Sequence, residues 1–212
     1  MDRKMIAKYI ITASITIMTL TSIFLYGRQY YIQQNLAEKV LRFHVLANSD
    51  SKIDQNLKLS VRDAVGSFMQ EKLQNVEDKK ASEECITLHL KEIEEVAKQV
   101  IAESGFFYEV SAEVTNCYFP VKHYGEYTFP AGNYDALRIT IGEGKGQNWW
   151  CVIYPNMCFA NSMYEVIDQN SKAELKKVLD EETYDAVLKT GDYQVRFWLV
   201  ELWKNYSKDL EI

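Results

Sequence analysis

The stretch from Phe129 to Phe159, FPAGNYDALRITIGEGKGQNWWCVIYPNMCF, restricts this chain more than any other. It carries Gly132, Gly142, Gly144 and Gly146, with Gly125 just upstream, together with Pro130, Pro155, Trp149, Trp150, Cys151 and Cys158. Leu137, Ile139 and Ile141 alternate with Arg138 and Thr140, the two-residue period of a strand with one apolar face. Gly142-Glu143-Gly144-Lys145-Gly146 then interrupts that strand with residues that tolerate positive φ, and Trp149 to Tyr154 is a continuous apolar run closed by Pro155. The pattern predicts a hairpin of strand, glycine loop and buried strand.

Around this stretch the chain reads as α+β: a single mixed sheet with helices packed on it, behind an N-terminal membrane segment. Tyr9 to Tyr26 is 18 residues without a charge, preceded by Arg3, Lys4 and Lys8. At 1.5 Å per residue it reaches about 27 Å, close to the roughly 30 Å hydrocarbon core of a bilayer. No small-x-small cleavage site follows it before Gly27, so it reads as an uncleaved anchor, with a cleaved signal peptide as the alternative. In either case the basic flank stays in the cytoplasm and everything after Gly27 lies outside. The expected organisation is a basic flank and anchor over 1–26, a stalk over 27–39, an extracytoplasmic domain over 40–206 and a tail over 207–212.

Within the domain, Val40 to Ala47 alternates as a first strand, with Phe43, Val45 and Ala47 against Arg42, His44 and Leu46. Asn48-Ser49-Asp50-Ser51 stops it and caps a helix over Lys52 to Gln74, whose apolar face is Ile53, Leu57, Val61, Ala64, Val65, Phe68 and Leu73. A second helix is expected over Ala81 to Ser104, with Glu94 and Lys98 paired on its polar side and Gly105 ending it. Tyr108 to Thr115 alternates as a strand, and Phe119 to Phe129 reads as a loop. After Phe159, Ser171 with Glu174 predicts a capped helix, Asp180 caps another that ends at Gly191, and Tyr193 to Trp203 reads as a strand buried on both sides, or as a terminal helix.

Composition narrows the chemistry. A net charge of -6 without a Lys/Arg cluster excludes a nucleic-acid footprint. His44, His89 and His123 are scattered over three elements and no cysteine pair has ligand spacing, so no metal site is expected, and no cofactor. The glycine run opens onto a strand rather than a helix and lacks the Lys-Ser/Thr of a phosphate loop. Cys151 and Cys158, seven apart across Pro155, could close a disulfide loop outside the membrane; free buried thiols are the alternative, and Cys85 and Cys117 could also pair. No nucleophile elbow is present, and a hydrolase acting on cell-wall material would have to use Glu143 with Asp135. Adjacent Trp149 and Trp150 face opposite ways on a strand, so one of them, with Tyr154, Phe129 and Arg138, could form an aromatic and arginine patch for a protein partner.

Two blocks also carry a resemblance. Pro130-Ala131-Gly132, Ala136-Leu137-Arg138, Ile141 to Gly146 and Asn148 to Val152 form one; Leu41 to Ser51 with Asp54-Gln55, Leu57-Lys58-Leu59 and Val61 to Val65 form the other. Together they resemble the signatures of the stage II sporulation protein R family. The resemblance implies a non-enzymatic signal exported from the forespore into the space between forespore and mother cell, either anchored or released after signal cleavage. There it would activate a membrane-embedded aspartic protease of the mother cell, which removes the pro-sequence of sigma-E. The expected contact residues on that reading are Trp149, Trp150, Arg138, Glu143 and Tyr154, with the Ala47 to Ser51 turn nearby, and no small-molecule substrate is implied. Asn156 stands where the family signature usually has a second proline.

Overall fold

The computed structural model describes residues 2–157 and 169–188. Its first element, α1 (Arg3–Lys39), is one helix that starts on the Asp2 cap and is long and apolar enough to cross a membrane. Several of its hydroxyls are satisfied within the helix itself. Thr12, Thr16, Thr21 and Ser22 donate to carbonyls four residues back, at 3.1, 2.9, 2.8 and 2.8 Å. The residues read as a stalk are the last turns of the same helix, and Ile32, Gln33 and Leu36 are buried in the domain.

The chain passes through Val40 directly into β1 (Leu41–Leu46), which is buried on both faces. Arg42 and His44 are therefore as enclosed as Phe43 and Val45. Ser51 Oγ accepts the Asp54 N–H at 3.1 Å and opens α2 (Lys52–Lys72), which sends Leu57, Val61, Val65 and Met69 into the core. Ile53, expected on that face, is exposed, because it sits in the first turn ahead of the helix's buried face. The single helix expected over 81–104 is two, α3 (Lys79–Leu88) and α4 (Leu90–Glu103). His89 makes the break: its ring Nδ1 lies 2.7 Å from the Cys85 carbonyl, which a continuous helix would offer to the His89 N–H, and that N–H bonds to the Ile86 carbonyl instead.

Next come β2 (Val110–Phe119), β3 (Lys122–Tyr124), β4 (Tyr127–Phe129), β5 (Gly132–Ile141) and β6 (Asn148–Tyr154). The expected Glu94–Lys98 pair is not made: Glu94 accepts the Ala112 N–H of β2 at 3.0 Å, and Lys98 lies 3.2 Å from Glu95. The expected loop over 119–129 is the β3–β4 ribbon, whose Tyr124, Tyr127 and Phe129 are buried. Mixed the main sheet is, but its order is β2-β5-β1-β6, with β5 parallel to β1, and β2 and β6 antiparallel to their neighbours. The expected hairpin is thus overturned. β1 lies between β5 and β6, and the glycine loop crosses its end. The strand most buried on both faces takes an interior place beside β5, and a loop of six residues reaches over two strand spacings, about 10 Å.

Helices α5 (Gln169–Val178) and α6 (Glu181–Leu188) follow. Asp180 caps α6 as expected, accepting the Thr183 N–H at 2.9 Å. Ser171 does not cap α5; it lies inside it and donates to the Asn156 carbonyl. Gly191 and the strand expected over Tyr193 to Trp203 lie outside the described residues.

Candidate functional site

One face of the main sheet carries the apolar residues Phe43, Val45, Leu137 and Ile139, which join α2 and α4 in the core. The other face has two halves. On its lower half the β3–β4 ribbon closes over Arg42, which is fully buried and, among the described residues, has no carboxylate partner. The Arg42 Nε donates to the Cys151 carbonyl at 2.8 Å and Nη2 to the Tyr124 hydroxyl at 2.6 Å, while Phe119, Phe129 and Tyr134 stand 4.2, 5.2 and 5.0 Å from the guanidinium carbon. Aromatic faces stabilise the cation here. This clamp fastens the ribbon to the sheet.

On the upper half, register places Glu113, Arg138, His44 and Trp150 side by side across β2, β5, β1 and β6. Arg138 donates to Glu113, His44 stacks on Trp150 at 3.8 Å between ring centres, and His44 Nε2 donates to Asn148 Oδ1 at 2.9 Å. Glu113 and Asn148 are exposed, and Arg138 and Trp150 are half-buried, so the row reaches solvent. Burial holds the His44 imidazole down to about 4, with Arg138 and Arg42 adding to the effect. The Cys117 thiol, 3.9 Å from His44 Nδ1, is pushed up by its own burial. At neutral pH both groups carry no charge, so this pair is not a thiolate beside an imidazolium.

Above the row, three loops meet at the carboxyl ends of β1 and β5. The Gly146 N–H donates to the Ala47 carbonyl at 2.9 Å, Lys145 N–H to the Asn48 carbonyl at 3.2 Å, and Gly142 N–H to the Glu109 carbonyl at 2.7 Å. Asn48 Oδ1 accepts the Glu143 N–H at 3.0 Å, while its amide and the Ser49 hydroxyl both donate to Asp54, holding that carboxyl below the usual range. Lys58, almost enclosed, donates to Gln55 Oε1 at 2.6 Å and the Gln147 carbonyl at 3.0 Å. Only glycine fits at two points of this crossing. A Cβ on Gly142, whose φ is +56°, would lie 2.2 Å from Asn48 Oδ1, and one on Gly146 would lie 2.2 Å from the Ser49 carbonyl oxygen.

The five expected contact residues do not form one patch. Trp150 and Arg138 share the row and Glu143 lies at the loop end, paired with Lys145 at 2.7 Å. Trp149 points the other way, buried edge-on to Phe43 and beneath the Arg62 guanidinium. Tyr154 is at the far end of β6, donating to the Glu77 carbonyl at 2.6 Å, and Phe129 is wholly buried. Asp135 lies near the start of β5 and Glu143 past its end, with roughly 20 Å of strand between Asp135 and Ile141, against the 5–9.5 Å or so that paired glycosidase carboxylates need. Asp135 instead takes bonds from Lys79 at 2.6 Å and Asn116 at 2.8 Å. Cys85 and Cys117 are free thiols, which removes their pairing, and Cys158 lies outside the described residues. The Ala47 to Ser51 turn, which holds Asn48, does lie beside Glu143 as expected, whereas Glu113, His44, Asn148 and Asp54 were not legible as site residues, because their association runs across strands and loops rather than along the chain.

A family model described as Stage II sporulation protein R matches residues 37–164. The stage II sporulation protein R of Bacillus subtilis (strain 168) is 34% identical to this chain over 180 residues, which span 78% of this chain and 80% of that protein. No solved structure matches.

Proposed function

This chain belongs to the stage II sporulation protein R family and has a role in sporulation, and we propose that it is the exported signal that switches on a membrane-embedded aspartic protease of the mother cell, so that pro-sigma-E is processed. The observation that carries this reading is the family match over residues 37–164, a range that holds every strand of the main sheet, the open row and the glycine loop. A ligand switches a protease only by binding its active arrangement better than its inactive one. Moving that equilibrium from 1:99 to 99:1 takes about 5.5 kcal/mol of differential binding. A surface already braced before contact supports this role, since little ordering cost is left to the moment of binding. The Asn48, Asp54 and glycine contacts supply that bracing.

The contact surface is the upper half of the open face with the loop end beside it: Trp150, Arg138 and Glu113 in the row, and Glu143 with Lys145 above. Cys151 pairs with Cys158 on this reading, supported by Cys151 not being a free thiol while Cys85 and Cys117 are. The chain is carried out of the forespore by α1, which stays as its anchor, and the unbroken helix from Arg3 into the buried Leu36 supports retention. The test is co-expression, in a host that does not sporulate, of this chain, the cognate protease and its pro-sigma-E substrate. Cleavage that requires this chain is the expected result. Absence of cleavage, with the chain exported and folded, overturns the reading.

A further inference from the structure

Helix α1 fixes more than a tether, because its last turns run alongside β5 and in the same direction. Gln33 Nε2 donates to the Asn133 carbonyl at 2.9 Å, and a Cβ on Gly132 would lie 2.4 Å from the Gln33 side chain. One turn further on, the Ala37 carbonyl and Asp135 share the Lys79 ammonium, at 2.9 and 2.6 Å. Four helical residues advance about 6 Å and two strand residues about 6.6 Å, so helix and strand keep pace. The parallel strands β1 and β5 therefore lead in the direction in which α1 leaves the membrane. Nearer the apolar segment, Arg28 lies 3.8 Å from Glu182 of α6, and Tyr184 of α6 bonds to Tyr127 of the ribbon at 2.9 Å.

We propose that α1 holds the domain in a set orientation, with the three-loop end carried away from its own bilayer, toward a protein held in a facing membrane, and the β2–β3 turn turned down to the lipid. Gln33 follows Tyr26, the last bulky residue of the charge-free run, by about 10 Å of helix, just beyond the headgroup layer. Gly142 lies nine strand residues past Asn133, about 30 Å further, which puts the glycine loop on the order of 40 Å from the apolar segment. At the near end Tyr118 is in register with Asn133, and both Tyr118 and the neighbouring Val121 are exposed. Tyr30 and Tyr31, also exposed, stand at the same level as an interfacial aromatic pair. A bilayer surface accounts for these apolar side chains, and a partner across an intermembrane space would meet Glu143, Lys145 and the adjoining row first. The partner's identity rests on the signalling reading; the orientation rests on α1 remaining in the bilayer.

The test needs no receptor. Full-length chain with Cys85→Ser and Cys117→Ser is reconstituted into vesicles, labelled with a donor dye at either Val121→Cys or Lys145→Cys, and read by energy transfer to an acceptor lipid in the outer headgroup layer. Transfer several-fold stronger from position 121 than from position 145 is expected. Equal or reversed transfer overturns the proposal, as does a chain that leaves the bilayer because α1 has been cut. Tyr118→Cys and Gln147→Cys, at the same two ends, serve if either first label disturbs the fold. A failed ordering together with receptor-dependent cleavage would remove the orientation and leave the signalling role standing, and the converse result would do the opposite.

Discussion

Acidification from pH 7 to pH 5 should weaken this fold by about 2 kcal/mol through His44 alone. The groups around the imidazole come from all four strands: Arg42 on its own strand, Arg138 on β5, Cys117 and Phe119 on β2, and Asn148 and Trp150 on β6. Burial and the two arginines favour the neutral ring, against the opposing pull of Asn148, and bring its value from 6.5 in the unfolded chain to about 4 in the fold. A depressed value means that the unfolded chain takes up the proton first, so the contribution is complete above 6.5 and is lost as pH falls through the window down to about 4. The whole window is worth roughly 3 kcal/mol at 1.36 kcal/mol per unit, of which about two thirds is gone by pH 5. Urea unfolding of the detergent-solubilised chain, followed by tryptophan fluorescence at closely spaced pH values, measures it against His44→Phe. The carboxylates held low, Asp54 and Asp135 among them, act at lower pH and in both proteins, so the difference between the two isolates His44. A difference that stays constant between pH 7 and pH 5 would refute the reasoning.

Three further outcomes follow from the same geometry. Arg42→Ala removes the bonds that Arg42 gives to the Cys151 carbonyl and the Tyr124 hydroxyl and opens space among Phe119, Phe129 and Tyr134, and should lower stability in urea by about 3–5 kcal/mol; Arg42→Met, which fills the space without a buried charge, should cost clearly less. Gly142→Ala combines a left-handed backbone with a collision against Asn48 and should cost about 2–3 kcal/mol, checked by the same unfolding curves, with a loss below 0.5 kcal/mol or so counting against the crossing geometry. Trp150→Ala should reduce signalling in the cleavage assay by roughly 30-fold or more if the row is a central contact, while Tyr154→Phe, at the far end of β6, leaves it within about two-fold.

Much of this chain could be read along its length. The apolar run of α1, the Ser51 cap, the alternation of β5 and the Asp180 cap each depend on residues within one or two turns of each other, and local chemistry settles them. His89 broke the long helix through a side-chain contact four residues back, a competition that apolar periodicity does not register. The ribbon over Lys122 to Phe129 escaped because its strands are three residues each and their burial comes from Arg42, eighty residues upstream.

The glycines announced a chain reversal, and tertiary structure decided what the reversal crosses. Residues 142–147 join two strands in any arrangement; that β1 enters between them follows from burial on both faces, a property of the assembled sheet. Once β1 is central, its His44 meets Trp150 and Arg138 at once, and its end at Asn48 becomes the post on which the glycine loop rests. The amino-acid order determined most of the elements, the membrane-length helix and the glycine-rich reversal. Only the packing of strands distant in sequence could choose which side chains share a face, because register, not spacing, sets that neighbourhood.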